Sequence, residues 1–352
     1  MSYMLAIGGV ACTTKTTILK KMENLNGVVV HLVDFKELHD KFKFDTRIGE
    51  VLYPAYRIKH FDRCSKDYEN VHVFDRHPME SLVYASMRNG LTDEEALHSF
   101  EDCQEMGLDE GWKSILLMPE RNTENVLTKM MKLRDNKLDT YSNEYVLMQK
   151  KRFKMWKNVM NCDEIVMDWK GDITAQQNAI INTITSRLYK WSHPNDGFYT
   201  YSYRMPVLKH KVAGFDLNGT LIESVDCFCN SNEWQLKYST TRTKLIKLLD
   251  KDYTIVVFVN YLLTDKNSEM LKQKIERVCK TINLPLFVYI AVGINNYRKP
   301  NTKMFEHILS SRPLLDLSKS FYCGDNSNGT NNVDSSFASN CKLKFYYDCD
   351  FF

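Results

Sequence analysis

Several things are scarce or absent in this chain of 352 residues. No apolar run approaches the roughly 18 residues that a membrane span requires, so no membrane partner is expected. The opening residues, Met1-Ser-Tyr-Met-Leu-Ala-Ile7, carry no basic segment and lead straight into a glycine-containing loop, which predicts no secretory leader and an intracellular, non-secreted protein. Ten cysteines are scattered without CxxC spacing, the tightest pair being Cys227 and Cys229. That pattern predicts free thiols in a reducing compartment, with no disulfide framework and no zinc site. Glycine (14) and proline (8) are too few for a collagenous or low-complexity chain. Charge of one sign is also missing: 47 Lys+Arg against 44 Asp+Glu leave +3, which excludes grip on nucleic acid by bulk charge but permits a local basic groove.

What is present is ordinary globular composition, 43% hydrophobic and 26% charged, at a length that favours two domains of about 150 residues or more. Residues 4–8, 28–33, 71–74 and 114–118 read as short buried strands. Helix-period stretches fall near 16–23, 48–66, 79–88, 93–105, 122–135, 142–160 and 172–191. Residues 192–208 lose all period and predict a linker. Alternation then resumes, with strands at 212–216, 253–259, 287–292, 321–323 and 343–346 separated by helices at 240–250, 266–282 and 302–310. The expected fold is α/β: two doubly wound parallel-sheet domains, 1–191 and 209–352.

Two strand-to-loop junctions carry the chemistry. In the first, Gly9 through Thr16 approximates the phosphate-binding loop G-x-x-x-x-G-K-[ST]. Gly9 takes the first glycine, Lys15 the lysine that neutralises phosphate charge, and Thr16 the hydroxyl that ligates Mg²⁺. Thr14 stands where the second glycine belongs, and its Cβ disfavours the dihedrals that glycine reaches freely. Asp75 and Arg76 end the third strand, where an open parallel sheet puts its ligand crevice; the arginine suits phosphate and the aspartate suits a substrate hydroxyl. Lys129, Lys132 and Arg134 lie on one helical stretch at spacings that converge on polyphosphate, though a solvated basic face has the same pattern.

Residues 1 to about 190 resemble the deoxynucleoside kinase and viral thymidine kinase family. The resemblance rests on Phe74-Asp-Arg-His-Pro78, on 122–134, and on Glu144, Tyr145 and Trp156. It implies ATP as cofactor and a nucleoside or nucleotide as substrate. It also implies a general base just after the second strand, at Asp34 with Glu37 as fallback, and a nucleobase flanked by Tyr56 and Arg57. Arg76, Lys132 and Arg134 would then stabilise the transferred phosphoryl.

The second junction is Lys211-Val-Ala-Gly-Phe-Asp216-Leu-Asn218-Gly-Thr220-Leu-Ile222. It resembles the D-x-D-G-T-L signature of haloacid dehalogenase-type phosphotransferases, in which the first aspartate attacks phosphorus and the second is acid/base. Asn260, Arg298-Lys299 and Asp325 follow in order at later strand ends. With Tyr297 to Phe305, Phe321 to Asp325, Asp334 to Asn340 and the terminal Phe351-Phe352, the segment from about 205 onward resembles the polynucleotide kinase 3′-phosphatase domain. That implies Asp216 as nucleophile and Lys299 as its catalytic partner. Thr220, Asn260 and Arg298 would contact substrate, Asp216, Asn218 and Asp325 would hold Mg²⁺, and DNA 3′ ends would be the partner. The short span from Asp216 to Asn260 predicts an open cleft without a large cap.

Two departures bear on turnover. Asn218 replaces the acid/base aspartate, an assistance worth roughly 10²–10⁴ in rate. Val259 replaces a hydroxyl residue beside Asn260, removing a transition-state hydrogen bond. Two readings therefore stand. One is a kinase fused to a 3′-phosphatase of impaired turnover. The other is a non-catalytic protein that binds nucleotides or DNA ends, with a structural or replication role. The fusion resembles what a large DNA virus of invertebrates would carry, acting in host cytoplasm or nucleus.

Overall fold

The computed structural model describes residues 2–32, 35–43, 46–224, 234–262, 268–312, 314–326 and 332–352. The chain divides into two compact units, Tyr3–Thr185 and Ser186–Phe352. In the first, strands β1 (Met4–Gly9), β2 (Val28–His31), β3 (Val71–Asp75), β4 (Trp112–Pro119) and β5 (Asp163–Met167) form one parallel sheet in the order β2-β3-β1-β4-β5. β1 is buried along its whole length, as a central strand covered on both faces must be. Its register sets Ile7 opposite Asp75, so the loop leaving β1 and the loop leaving β3 emerge side by side. The helix Asp93–Glu105 starts with a reciprocal capping box between Thr92 and Glu95. Phe100, Phe153 and Trp156 fill the core that its apolar face covers.

The strand β5 has no counterpart among the expected elements. It is an edge strand of Asp163-Glu-Ile-Val-Met167 with little burial, so its alternation is masked by charge.

In the second unit, β6 (Tyr189–Asn195), β7 (Phe198–Tyr203), β8 (Lys211–Asp216), β11 (Tyr253–Tyr261), β12 (Leu286–Val292), β13 (Phe321–Gly324) and β14 (Lys344–Tyr347) build a seven-stranded sheet. Its order is β14-β13-β8-β11-β12-β7-β6, and β9 (Ile222–Ser224) and β10 (Trp234–Leu236) form a small antiparallel pair beside it. The five strands from β14 to β12 are parallel. The expected linker over 192–208 is corrected here. β6 and β7 form an antiparallel hairpin paired onto β12, so this sheet is mixed. The physical reason is aromatic: Phe198, Tyr201 and Tyr203 are buried, and Trp191 packs on Tyr201 at 4.7 Å. Tyrosine-rich alternation without strongly apolar residues is a strand that reads as a loop.

The core of this unit is also aromatic. Phe258 lies among Tyr289, Tyr322 and Phe337 at centroid distances of 5.9, 5.9 and 5.2 Å. The eight described cysteines are free thiols, and no helix of the described residues is long and apolar enough to cross a membrane. Replacing Phe258 by alanine is expected to destabilise the Ser186–Phe352 unit by about 3–5 kcal/mol. Urea unfolding followed by tryptophan fluorescence reads this, and a loss under 1 kcal/mol would contradict the packing described.

Candidate functional site

In the first unit the site grows from the end of β1. Gly9 has φ +107, and a Cβ there would lie 2.3 Å from the Leu117 carbonyl oxygen, so the position accepts only glycine. The loop turns back into the helix Lys15–Met22, which Thr14 precedes in the left-handed region at φ 56. Threonine thus occupies the dihedrals of the missing glycine, at a cost of roughly 1–2 kcal/mol for an L-residue. Lys15 folds into the loop: its Nζ donates to the carbonyls of Gly9 (3.2 Å) and Val10 (2.6 Å) and to the Thr13 hydroxyl (3.1 Å). Burial pulls its ammonium down to about 7, and Arg76 adds repulsion.

The second frame member is Arg76, whose backbone N–H donates to Ile7 O at 3.2 Å. Its guanidinium donates to Gly9 O at 2.9 Å and pairs with Glu80. Glu80 is fully buried and also accepts the Gly9 N–H at 3.2 Å. This carboxylate, which sequence reasoning did not single out, ties the loop after β3 to the loop after β1. Its only sequence signal is a glutamate two residues beyond Pro78. The resulting cavity of about 620 Å³ is lined by Lys15, Thr16, Asp75, Arg76 and, from the helix Glu124–Arg134, Arg134. Arg134 is paired with Asp139.

Among the expected residues, Arg57 lines the cavity, buried and donating to Tyr53 OH at 3.1 Å. Tyr56 does not: it is 39% exposed, and Tyr53, three residues earlier, holds the wall position instead. Arg57 follows Tyr53 by four residues and shares its face of the helix, whereas Tyr56 is rotated by about 100° from Arg57. Lys132 is exposed and outside the lining for the same reason, two residues from Arg134. Asp34 lies outside the described residues, as does the side chain of Glu37.

In the second unit the site collects at the C-terminal ends of the central strands. Asp216 ends β8. Lys299 Nζ donates to Asp216 Oδ1 at 2.5 Å, to Tyr322 OH at 2.7 Å and to Asp334 Oδ1 at 2.8 Å. Ligand oxygens of Asp216, Asp325 and Asp334 all lie within 4.8 Å of one another. Burial pushes the Asp216 carboxyl well above the usual carboxylate range, with Asp334 and Asp325 adding repulsion and Lys299 opposing. Gly219, at φ +82, lets the loop pass Asp325: a Cβ would sit 2.0 Å from its Oδ2. Asn260 is fixed to the Lys299 backbone in both directions, at 3.0 and 2.8 Å, so it positions the lysine. Asn218 accepts from Lys274 Nζ at 3.2 Å. Thr220 Oγ1 and Arg298 Nη1 are buried without a hydrogen-bond partner among the described residues. Val259 is buried, an apolar side chain beside this cluster. Asp334 and Tyr322 were not expected to join the lysine. Asp334 lies in the first turn of the helix Val333–Asn340, whose Phe337 and Ala338 are buried with it.

The first unit is therefore an α/β fold with a phosphate-type loop at its central strand. The second is an α/β domain that gathers an aspartate, a lysine and downstream carboxylates at its strand ends. Residues 211–352 match the family described as Polynucleotide kinase 3 phosphatase. The chain is 43% identical over 213 residues to a 33.9 kDa protein of the PE 3′ region of Lymantria dispar multicapsid nuclear polyhedrosis virus, itself uncharacterized. The match covers 60% of this chain and 73% of that one. The chain belongs to one family with this baculoviral protein.

A second relative is the polynucleotide 3′-phosphatase ZDP of Arabidopsis thaliana, 28% identical over 165 residues, 40% of this chain and 24% of that one. Among solved structures, deoxyadenosine kinase from M. mycoides with bound dATP is similar over 52% of this chain and 100% of that one, at 19% identity and TM-score 0.39.

His77 makes the first unit sensitive to acid. It is buried against Trp112 and Trp156, and burial, then Arg57, pulls its imidazole down to about 3. In the unfolded chain it titrates near 6.5, so the unfolded state binds the extra proton between pH 6.5 and 3. The stability it supports is complete above pH 6.5 and falls as pH drops, by up to about 1.4 kcal/mol per pH unit. Urea midpoints between pH 7.5 and 5 should show this slope for the Tyr3–Thr185 unit, and His77→Gln should flatten it.

Proposed function

We propose that this protein is a bifunctional protein of nucleotide and nucleic-acid metabolism. Its first unit is an ATP-dependent deoxynucleoside kinase of thymidine-kinase type, and its second recognises DNA 3′-phosphate ends with impaired turnover. The observation that carries the kinase reading is the cavity in which Lys15, Thr16, Asp75, Arg76 and Arg134 face one another across strand ends. Cations on three separate elements suit a polyphosphate, and the Lys15 amine held by loop carbonyls is placed to exchange them for phosphate oxygens. In this reading Lys15 and the loop hold ATP, Thr16 holds its Mg²⁺, and Asp75 orients the acceptor hydroxyl. Asp34, outside the described residues, takes the proton. Labelled ATP offered with a panel of deoxynucleosides should give transfer to at least one, reduced at least about 10²-fold in Lys15→Met. Absence of transfer with every acceptor, including DNA 5′ ends, would overturn the kinase reading.

In the second unit three carboxylates face one ammonium among the described residues, and this uncompensated negative charge fits a divalent cation. Asp216, Asp325 and the Asn218 turn would hold Mg²⁺, which when bound neutralises charge on the phosphate. Asp216 would attack phosphorus and displace the sugar oxygen. That oxygen leaves as a costly alkoxide unless protonated, and the amide of Asn218, engaged by Lys274, has no proton to give. Return of an aspartate by spontaneous deamidation is opposed as well, because the Gly219 N–H that must attack the amide is bonded to Ile222 O at 2.8 Å.

A 3′-phosphorylated oligonucleotide with Mg²⁺ should therefore be cleaved slowly or not at all by the native chain. Asn218→Asp should be faster by roughly 10²–10⁴. Equal rates would refute the acid/base argument. A second reading, binding of nucleotides or DNA ends without catalysis, draws on the same amide. It predicts end binding in both variants and phosphate release in neither.

A further inference from the structure

Apart from the residues that line its cavity, the first unit brings together a second set of ligating side chains. His31 ends β2, His72 lies in β3, and Cys64 ends the helix Thr46–Cys64. The register places Val29 opposite His72 and His31 opposite Phe74, so both histidines share one face of the sheet. His31 Nε2 is 2.8 Å from His72 Nδ1 and 3.6 Å from Cys64 Sγ, and one ligand atom from each of the three lies within 4.8 Å of the others. His72 and Cys64 are buried and His31 is half-buried.

We infer that this cluster is a Zn²⁺ site with two imidazoles and one thiolate, which pins the β2 edge of the sheet to the end of the Thr46–Cys64 helix. Borderline-soft zinc takes this donor set in tetrahedral geometry. With metal–nitrogen bonds of about 2.05 Å and a metal–sulfur bond of about 2.3 Å, the tetrahedron has a nitrogen–nitrogen edge of roughly 3.3 Å and a nitrogen–sulfur edge of about 3.6 Å. The Cys64–His31 separation already matches, and the two ring nitrogens need to part by about half an ångström.

The outer partner that such sites use is also in place. His72 turns its other nitrogen, Nε2, toward Asp67 Oδ2 at 3.1 Å. The backbone N–H groups of Glu69 and Asn70 and the Asn70 amide hold that carboxylate in turn, at 3.0, 3.2 and 2.9 Å. A carboxylate behind an imidazole fixes its tautomer, so that Nδ1 offers a lone pair to the ion. His31 is fixed by stacking on Phe74 at 4.3 Å and 14°. Metal entry releases one proton from the Cys64 thiol to solvent and shifts the His31 proton from Nε2 to Nδ1, leaving three donors and one open position. The missing CxxC spacing does not bear on this cluster, because its members come from two strands and a helix. That helix also carries Tyr53 and Arg57 into the nucleotide cavity, so the ion would steady one cavity wall.

The test uses the full chain. The protein as purified should carry one equivalent of zinc by elemental analysis. After chelation, Co²⁺ titration should produce a thiolate-to-cobalt charge-transfer band that saturates at one equivalent. Cys64→Ser should abolish the band while Cys103→Ser keeps it, and Asp67→Asn should weaken cobalt affinity by 10–100-fold or about that. Circular dichroism checks that each variant folds. Absence of the thiolate band in the wild-type chain at saturating Co²⁺ would overturn the proposal without reference to any variant, and so would a band that survives in folded Cys64→Ser.

Discussion

Each half of the molecule depends on a lysine amine buried near the C-terminal ends of parallel strands. Lys15 is caged by the carbonyls of its own loop, and Lys299 by two carboxylates and a phenol. An ammonium taken out of water costs several kcal/mol unless oxygens replace its hydration, and the strand ends are where such oxygens gather. The two cages differ in a way that sets what each can do. Neutral carbonyls surround Lys15, so its charge is poorly compensated, and in the proposed reading an incoming polyphosphate would improve its surroundings. Two carboxylates surround Lys299, so its charge is over-compensated, and the surplus is negative.

That difference explains why the two substitutions in the motifs have unequal weight. Thr14 has to adopt glycine's dihedrals, and it does so, with φ 56. The strain is local and the loop keeps its shape around Lys15. Asn218 is not among the residues with positive φ, yet in the proposed phosphatase reading its amide would lack the proton that the leaving oxygen needs. A conformational departure is absorbed by the fold, whereas a chemical one is not. In the proposed reading, the second unit would keep the architecture of a phosphate site without its acid.

The histidine–cysteine cluster belongs to the same pattern of chemistry assembled across strands. Asp67 holds His72, His72 faces His31, and His31 faces Cys64, a chain of contacts running from a loop through two strands to a helix end. It ties together an edge of the sheet whose neighbour among the described strands is β3.

The sequence alone determined most of the alternation of strands and helices, and the two strand-to-loop junctions with most of the residues gathered there. These are local properties: a run of β-branched residues, a glycine before a lysine, an aspartate at a strand's end. It read the hairpin of β6 and β7 as a linker, because tyrosine and threonine alternate too weakly in polarity to mark a strand until β12 lies beside them. Tertiary structure alone decided that Glu80 would brace Arg76, that Asp334 would share Lys299 with Asp216, and that Tyr53 rather than Tyr56 would wall the cavity. It also decided that His31, Cys64 and His72 would meet. Each of these depends on register between strands or on rotation about a helix axis, and neither is fixed by spacing along the chain.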